Sequence, residues 1–211
     1  RCVEYVESND SWLVATSNGL VIYQDDNQTL RHFNSVKNYD NTLPDNDSKC
    51  MCKVTDELVF IGTSNGICVL DAKNGNIKRI DLNKLIANQS LKLDVSNIIP
   101  FTDNEVMIST YTNGLYIYNY QNNTASHISK FNTLHPISEN YIYDIYKDDQ
   151  GNIWVATFTG LNRFENNLAK FSTVSIFENG SMLSINYFLE MQDDNILIGT
   201  GSGIKVFNIN D

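Results

Sequence analysis

No basic stripe runs anywhere along this chain. Lys and Arg number 15 against 25 Asp and Glu, for a formal net charge of −10 and a pI near 4.6. A phosphate-backbone partner needs clustered Lys and Arg, so nucleic acid is excluded as a partner. An acidic surface of this kind serves solubility more often than binding. No apolar run approaches the roughly 20 residues that cross a bilayer, so this segment is not expected to insert into a membrane. There is no initiator Met and no signal-peptide pattern at Arg1-Cys2-Val3-Glu4-Tyr5. The chain therefore reads as a processed product or a fragment of something longer.

Cysteine is scarce: Cys2, Cys50, Cys52 and Cys68. Cys50-Met51-Cys52 is too tightly spaced for the usual zinc pair and has no second pair or His partner nearby. At strand period both side chains share one face, the placement of buried free thiols. A Cys2–Cys50 or Cys2–Cys52 link between neighbouring strands stays open, and the cysteines do not fix a compartment. Proline is scarcer still, with 3 in the chain, whereas Tyr, Phe, Ile and Asn abound. That profile suits strands joined by Asn, Asp and Gly turns. A hydrophobic content of 42% marks a folded chain.

What the chain does have is a repeat. Five times a β-like run ends in a small residue plus Thr, followed by a turn that closes on Gly. The runs end at Ala15-Thr16, Gly62-Thr63, Ser109-Thr110, Ala156-Thr157 and Gly199-Thr200, and the turns close at Gly19, Gly66, Gly114, Gly160 and Gly203. A fixed period of about 45 residues is the signature of a repeat architecture whose units cannot bury their apolar faces alone.

Residues 141–174 lay out one unit: alternating Tyr141-Ile142-Tyr143-Asp144-Ile145-Tyr146, turn residues 148–152, a strand at 153–157, a tight turn, a strand at 161–164, another turn, and a strand at 168–174. Four short antiparallel strands joined by hairpins make one blade of a β-propeller. The fold class is thus all-β, with blades near residues 1–33, 48–80, 95–131, 140–174 and 183–211, the last without its fourth strand. The small residue of each second strand permits close approach of the next sheet. The bulky residue two or three places earlier (Trp12, Phe60, Trp154) is expected to fill the core between sheets. Propellers have about 4 to 8 blades, so a small closed ring and an arc of a larger ring both fit; the unfinished ends favour the arc.

Residues 139–164, with Asp148-Asp149-Gln150-Gly151-Asn152-Ile153-Trp154-Val155-Ala156-Thr157 and then Gly160-Leu161, resemble the two-component regulator propeller repeat. The resemblance extends to all five units; in the third, Met107 stands at the Trp position. It implies the periplasmic sensor region of a Bacteroidetes hybrid histidine kinase. In that family two seven-bladed propellers and a β-sandwich precede a membrane helix and kinase modules, and the ligand is typically a glycan fragment. The implied partners are a carbohydrate or other small ligand, the remaining blades of a parent chain, and a second copy of the chain.

Binding is expected where the turns between second and third strands meet the connections between units, because loops vary there without disturbing the blades. The connections 34–47 and 81–94 are long, and long loops concentrate function or disorder. Tyr111-Thr112 and Phe158-Thr159 place aromatics in two of the turns, where a sugar ring could stack. Arg163 and His135 are assigned to the same rim; capping of blade packing is the competing role for Tyr111 and Phe158. Catalysis is not expected. His32, His127 and His135 fall in different units, the first two on outer fourth strands. Asp25-Asp26, Asp148-Asp149 and Asp193-Asp194 read as solvated turns. Asp45-Asn46-Asp47 opens like a calcium loop but lacks its Gly and terminal Glu. No cofactor or metal is expected. The alternatives to a non-enzymatic sensor are a propeller lyase or glycosidase, and a scaffold for protein–protein contacts.

Overall fold

A computed structural model describes residues 2–24, 28–36, 41–86, 91–131, 136–165, 170–174, 176–178, 181–191 and 195–208. The first sheet comprises β1 (Val3–Val6), β2 (Ser11–Thr16), β3 (Gly19–Gln24) and β4 (Thr29–Phe33). The second comprises β5 (Ser48–Thr55), β6 (Leu58–Thr63), β7 (Gly66–Asp71) and β8 (Asn76–Ile80). The third comprises β9 (Val95–Thr102), β10 (Glu105–Thr110), β11 (Leu115–Asn119) and β12 (Thr124–Ile128). The fourth comprises β13 (Ile142–Lys147), β14 (Ile153–Thr157), β15 (Gly160–Glu165) and β16 (Lys170–Val174). A small hairpin, β17 (Phe177–Glu178) with β18 (Ser181–Met182), precedes a three-stranded fifth sheet of β19 (Ile185–Glu190), β20 (Asn195–Thr200) and β21 (Gly203–Asn208). Every sheet is a meander in chain order. This is the all-β propeller architecture that the repeat predicts.

The recurring Thr and Gly have one structural job. The Thr hydroxyl donates to the carbonyl of the closing Gly in all five turns, at 2.8 to 2.9 Å. It also accepts from the backbone N–H of Asn18, Asn65, Asn113 and Ser202 in their own turns. The five glycines have φ between +77° and +128°, a region that a side chain disfavours. Hydroxyl and glycine together close the turn locally, independent of what lies between them.

Parity along the second strand decides which sheet each residue meets. Residues one and three places before the Thr share a face, and those two and four places before it share the other. Leu13 and Ala15 of β2 pack with Val59 and Ile61 of β6 in one buried cluster. Trp154 and Ala156 of β14 pack with Ile196 and Ile198 of β20 in another. The small residue is required where the next sheet is closest: a Cβ at Gly62 would stand 2.5 Å from Val95 Cγ1 and 2.6 Å from Cys50 Sγ.

Phe60 and Trp154 are buried core residues, but Trp12 is not; it is 45% exposed and packs on Tyr5 with ring centroids 5.0 Å apart. Trp12 stands three places before its small residue and Phe60 and Trp154 stand two, so it points to the opposite face. The four cysteines are free thiols, Cys50, Cys52 and Cys68 buried and Cys2 half-buried.

Asp148 also departs from expectation. It is buried rather than a solvated turn residue. Its carboxylate accepts from Asn152 N–H (2.8 Å), Asn152 Nδ2 (3.0 Å) and Trp154 Nε1 (2.9 Å). Gly151, at φ +83°, lets the turn fold back so that these donors converge. The spacing Asp-x-x-Gly-Asn-x-Trp is therefore a hydrogen-bonded corner anchoring the core tryptophan. Asp25-Asp26 and Asp193-Asp194 lie outside the described residues.

The chain divides into two compact units, Arg1–Ile108 with Ile117–Ser126, and Ser109–Tyr116 with His127–Asp211. The first contains the first and second sheets, the second the fourth and fifth.

Candidate functional site

An exposed aromatic cluster lies within the second unit. Tyr111 and Phe158 occupy the turns after β10 and β14, Tyr141 immediately precedes β13, and Tyr143 is the second residue of β13. Tyr141 is the hub. Its ring centroid is 5.7 Å from Tyr111, 5.1 Å from Tyr143 and 6.4 Å from Phe158, with interplanar angles of 56°, 60° and 64°. Tyr111 meets Tyr143 edge-on at 6.4 Å. Each such pair stabilises by about 0.5–1.5 kcal/mol beyond the area it buries. The cluster nonetheless leaves Phe158 57% and Tyr141 39% exposed.

Backbone bonds hold the rings in register. Phe158 N–H donates to Tyr141 O at 3.1 Å, and Gly114 N–H to Asn140 O at 3.0 Å. Beneath them the buried Asn162 accepts from Ser138 N–H (2.9 Å) and donates to Ser138 Oγ (2.8 Å), which also meets Thr157 Oγ1 at 3.2 Å. The ladder of β13 with β14 shifts register between Ile142 and Asp144, leaving Tyr143 as the extra residue of a bulge. Such bulges re-aim a side chain. Burial and the neighbouring Tyr141 raise the Tyr143 phenol above its ordinary value.

The same register shift occurs at Lys49 in the second sheet and at Asn186 in the fifth. The positions equivalent to Tyr141 and Tyr143 are Asp47 and Lys49 in the second repeat and Asp94 and Ser96 in the third. There Lys49 pairs with Asp94 through a direct ammonium–carboxylate contact. Aromatic rings at these places are thus a property of the fourth repeat, not of the fold.

Of the residues put forward from sequence, Tyr111 and Phe158 come together through Tyr141. Their turn neighbours Thr112 and Thr159 are exposed and half-buried. Arg163 does not join them. It pairs with Trp154 across the ladder and sets its guanidinium 5.2 Å from that ring, on the sheet body. His135 lies outside the described residues. Sequence reading missed Tyr141 and Tyr143, whose alternation is fully explained by a strand. The signal that finds them is the contrast with Asp47, Lys49 and Asp94.

Other chemistry-bearing groups have structural roles. His32 and His127 sit on fourth strands, and each ring reaches a turn carbonyl, Asn18 O and Asn113 O, at 2.6 Å. Asp45 accepts from Asp47 N–H and Ser64 Oγ. The Asp47 amide foremost, then the Ser64 hydroxyl, holds its carboxyl below the ordinary range despite partial burial. No cluster of metal-binding side chains occurs among the described residues. In the first unit a cavity of about 420 Å³ mixes the apolar Pro44, Ile67, Ile80, Leu91 and Leu93 with polar groups of Asn65, Asp81 and Asn83. Arg79 at its wall is committed to Val36 O, Thr42 O, Thr42 Oγ1 and Leu43 O, which fixes the connection beside it. Among the described residues no helix is long and apolar enough to cross a membrane.

Comparison with known proteins adds a context. Residues 136–159, which include Tyr141, Tyr143 and Phe158, match the model of the two component regulator propeller family. No curated protein matches the chain. Among solved structures, the extracellular domain of a protein described as a hybrid two component system from B. thetaiotaomicron superposes with a TM-score of 0.76 at 22% identity, over 99% of this chain and 27% of that one. A second extracellular domain from the same organism, described as a one component system, gives 0.74 at 24% identity, over 94% and 26%. A β-propeller domain from Myceliophteria thermophila gives 0.67 at 10% identity, over 98% and 64%. The chain thus spans about a quarter of the two bacterial domains it resembles.

Proposed function

We propose that this chain, which carries a two component regulator propeller repeat in its fourth sheet, is part of the periplasmic ligand-sensing region of a membrane histidine kinase. Its ligand is a glycan fragment held at Tyr111, Tyr141, Tyr143 and Phe158. The carrying observation is the exposed cluster itself: the fourth repeat places Tyr141 and Tyr143 where the second has Asp47 and Lys49, the third Asp94 and Ser96, and the fifth Ser184 and Asn186. The negative face of an aromatic ring attracts the C–H-rich face of a pyranose, and a hydrophobic patch with a few fixed polar groups is the usual make-up of a small-ligand site. Sensing requires that the ligand bind one arrangement of the parent receptor better than another, and a site built on rigid strands and tight turns suits that. A non-enzymatic role fits a site made of aromatic rings, beside which the carboxylate of Glu139 is tied up in an ion pair with Lys130.

A second surface supports packing against further sheets of a parent chain. Tyr187, Leu189, Ile204 and Val206 of the fifth sheet are 61% to 75% exposed. A sheet of the same kind would cover them as Val59 and Ile61 cover Leu13 and Ala15.

The test is calorimetric titration of the chain with fragments of common plant and host glycans. Saturable binding by at least one, lost on Tyr141→Ala with Phe158→Ala, is expected. Binding that survives the double substitution would place the ligand elsewhere, and turnover of a glycan would favour the enzyme reading.

A further inference from the structure

Resting on the glycan reading, we infer that the aromatic site selects uncharged saccharides and that Glu139 is the residue that rejects anionic ones. Carboxylated or sulfated sugars are recognised by guanidinium or free ammonium groups, whose charge-assisted bonds make up most of the preference. The cation that sequence order assigns to this rim, Arg163, is instead stacked on Trp154 in the body of the sheet. The Lys130 ammonium is engaged with both carboxylate oxygens of Glu139, two residues before Tyr141, at 2.9 and 3.0 Å.

Glu139 is bound to the site's own backbone. Its carboxylate accepts from Asn140 N–H at 2.7 Å and from the N–H of Tyr141, the hub of the cluster. Burial alone would raise this carboxyl. The Lys130 ammonium and the two amides outweigh that and hold it below its ordinary value of 4.5, so it is ionised at neutral pH. The ion pair withholds the Lys130 ammonium from a carboxylate or sulfate docking on the Tyr141 ring, in a chain that already carries a net charge of −10. A neutral sugar needs no cation.

The test is a competition series on the 211-residue chain. Neutral oligosaccharides of glucose, xylose, mannose, arabinose and galactose are titrated beside oligogalacturonate and chondroitin sulfate fragments of equal length. The expected result is at least tenfold weaker binding of the anionic set, with the gap shrinking as salt is raised. Glu139→Gln releases the Lys130 ammonium, so the neutral-to-anionic ratio should fall several-fold in that variant. Anionic fragments binding as well as neutral ones, or an unchanged ratio in Glu139→Gln, would overturn the assignment of Glu139. Failure of every saccharide to bind would instead remove the glycan reading, and the selectivity with it.

Discussion

Phe158 and Tyr141 are joined twice, by a backbone hydrogen bond of 3.1 Å and by rings 6.4 Å apart at 64°. Only the second link depends on the Phe158 side chain. Phe158→Ala therefore keeps the turn and removes one exposed ring. It should weaken a bound saccharide about tenfold, or roughly 1.4 kcal/mol, while lowering folding stability only by the worth of one exposed ring pair, about 0.5–1.5 kcal/mol. Urea unfolding and calorimetry on the same sample separate the outcomes. A large loss of stability would mean that the ring caps blade packing.

Gly62 and Gly199 occupy the same place in their repeats but different surroundings. A methyl at Gly62 meets Val95 and Cys50 at 2.5 and 2.6 Å, whereas at Gly199 the nearest atom is Tyr187 Cβ at 3.5 Å. Gly62→Ala should destabilise by about 1–3 kcal/mol through overpacking. Gly199→Ala should be neutral or stabilising by up to about 1 kcal/mol through the unfolded chain. Equal effects in denaturant titrations would refute the close-approach account of the small residue.

Removing the Asp148 side chain strands Trp154 Nε1 and the Asn152 amide in a buried corner. Asp148→Ala should cost about 2–4 kcal/mol, with a change in tryptophan emission that Asp149→Ala does not produce. A cost near that of Asp149→Ala would show that the corner contributes little.

Burial raises the thiol of Cys2 to about 11 and those of Cys52 and Cys68 to about 12, and pushes Cys50 up further, all from an ordinary value of 9.0. The folded chain thus keeps its thiols protonated where the unfolded chain ionises them. Their contribution to stability is complete below pH 9 and is lost as pH rises from there through 11 and 12. Native protein at pH 8 should react with a thiol reagent slowly, Cys2 first, and rapidly at all four positions in denaturant. Fast modification of Cys50 or Cys68 without denaturant would contradict their burial.

The architecture was legible because each repeat restates the same local chemistry: a hydroxyl and a left-handed glycine closing one turn. Residues whose role depends on what lies across the sheet were harder to read. Trp12 looked equivalent to Trp154, yet one place of register sends it to the other face. Asp148 and Asp149 looked alike in a turn, and only the inward fold at Gly151 distinguishes them. Arg163 is three residues beyond Gly160, and at about 3.3 Å per residue the strand carries it roughly 10 Å from the turn. Tyr111 and Phe158 were visible as unusual turn residues, but the ring that joins them belongs to a strand start that alternation alone explains.

The alternation of faces along β2, β6 and β14 gives each of these sheets a front and a back. The small residue stands on the front in all three, and in β6 and β14 the back is β-branched. Within each unit such packing has polarity, like cups that nest only one way up. An inverted sheet would set bulk against bulk. A single-residue insertion in a second strand would exchange its two faces at once. Length variation is therefore expected to accumulate in the connections between repeats, which leaves those connections free to diverge.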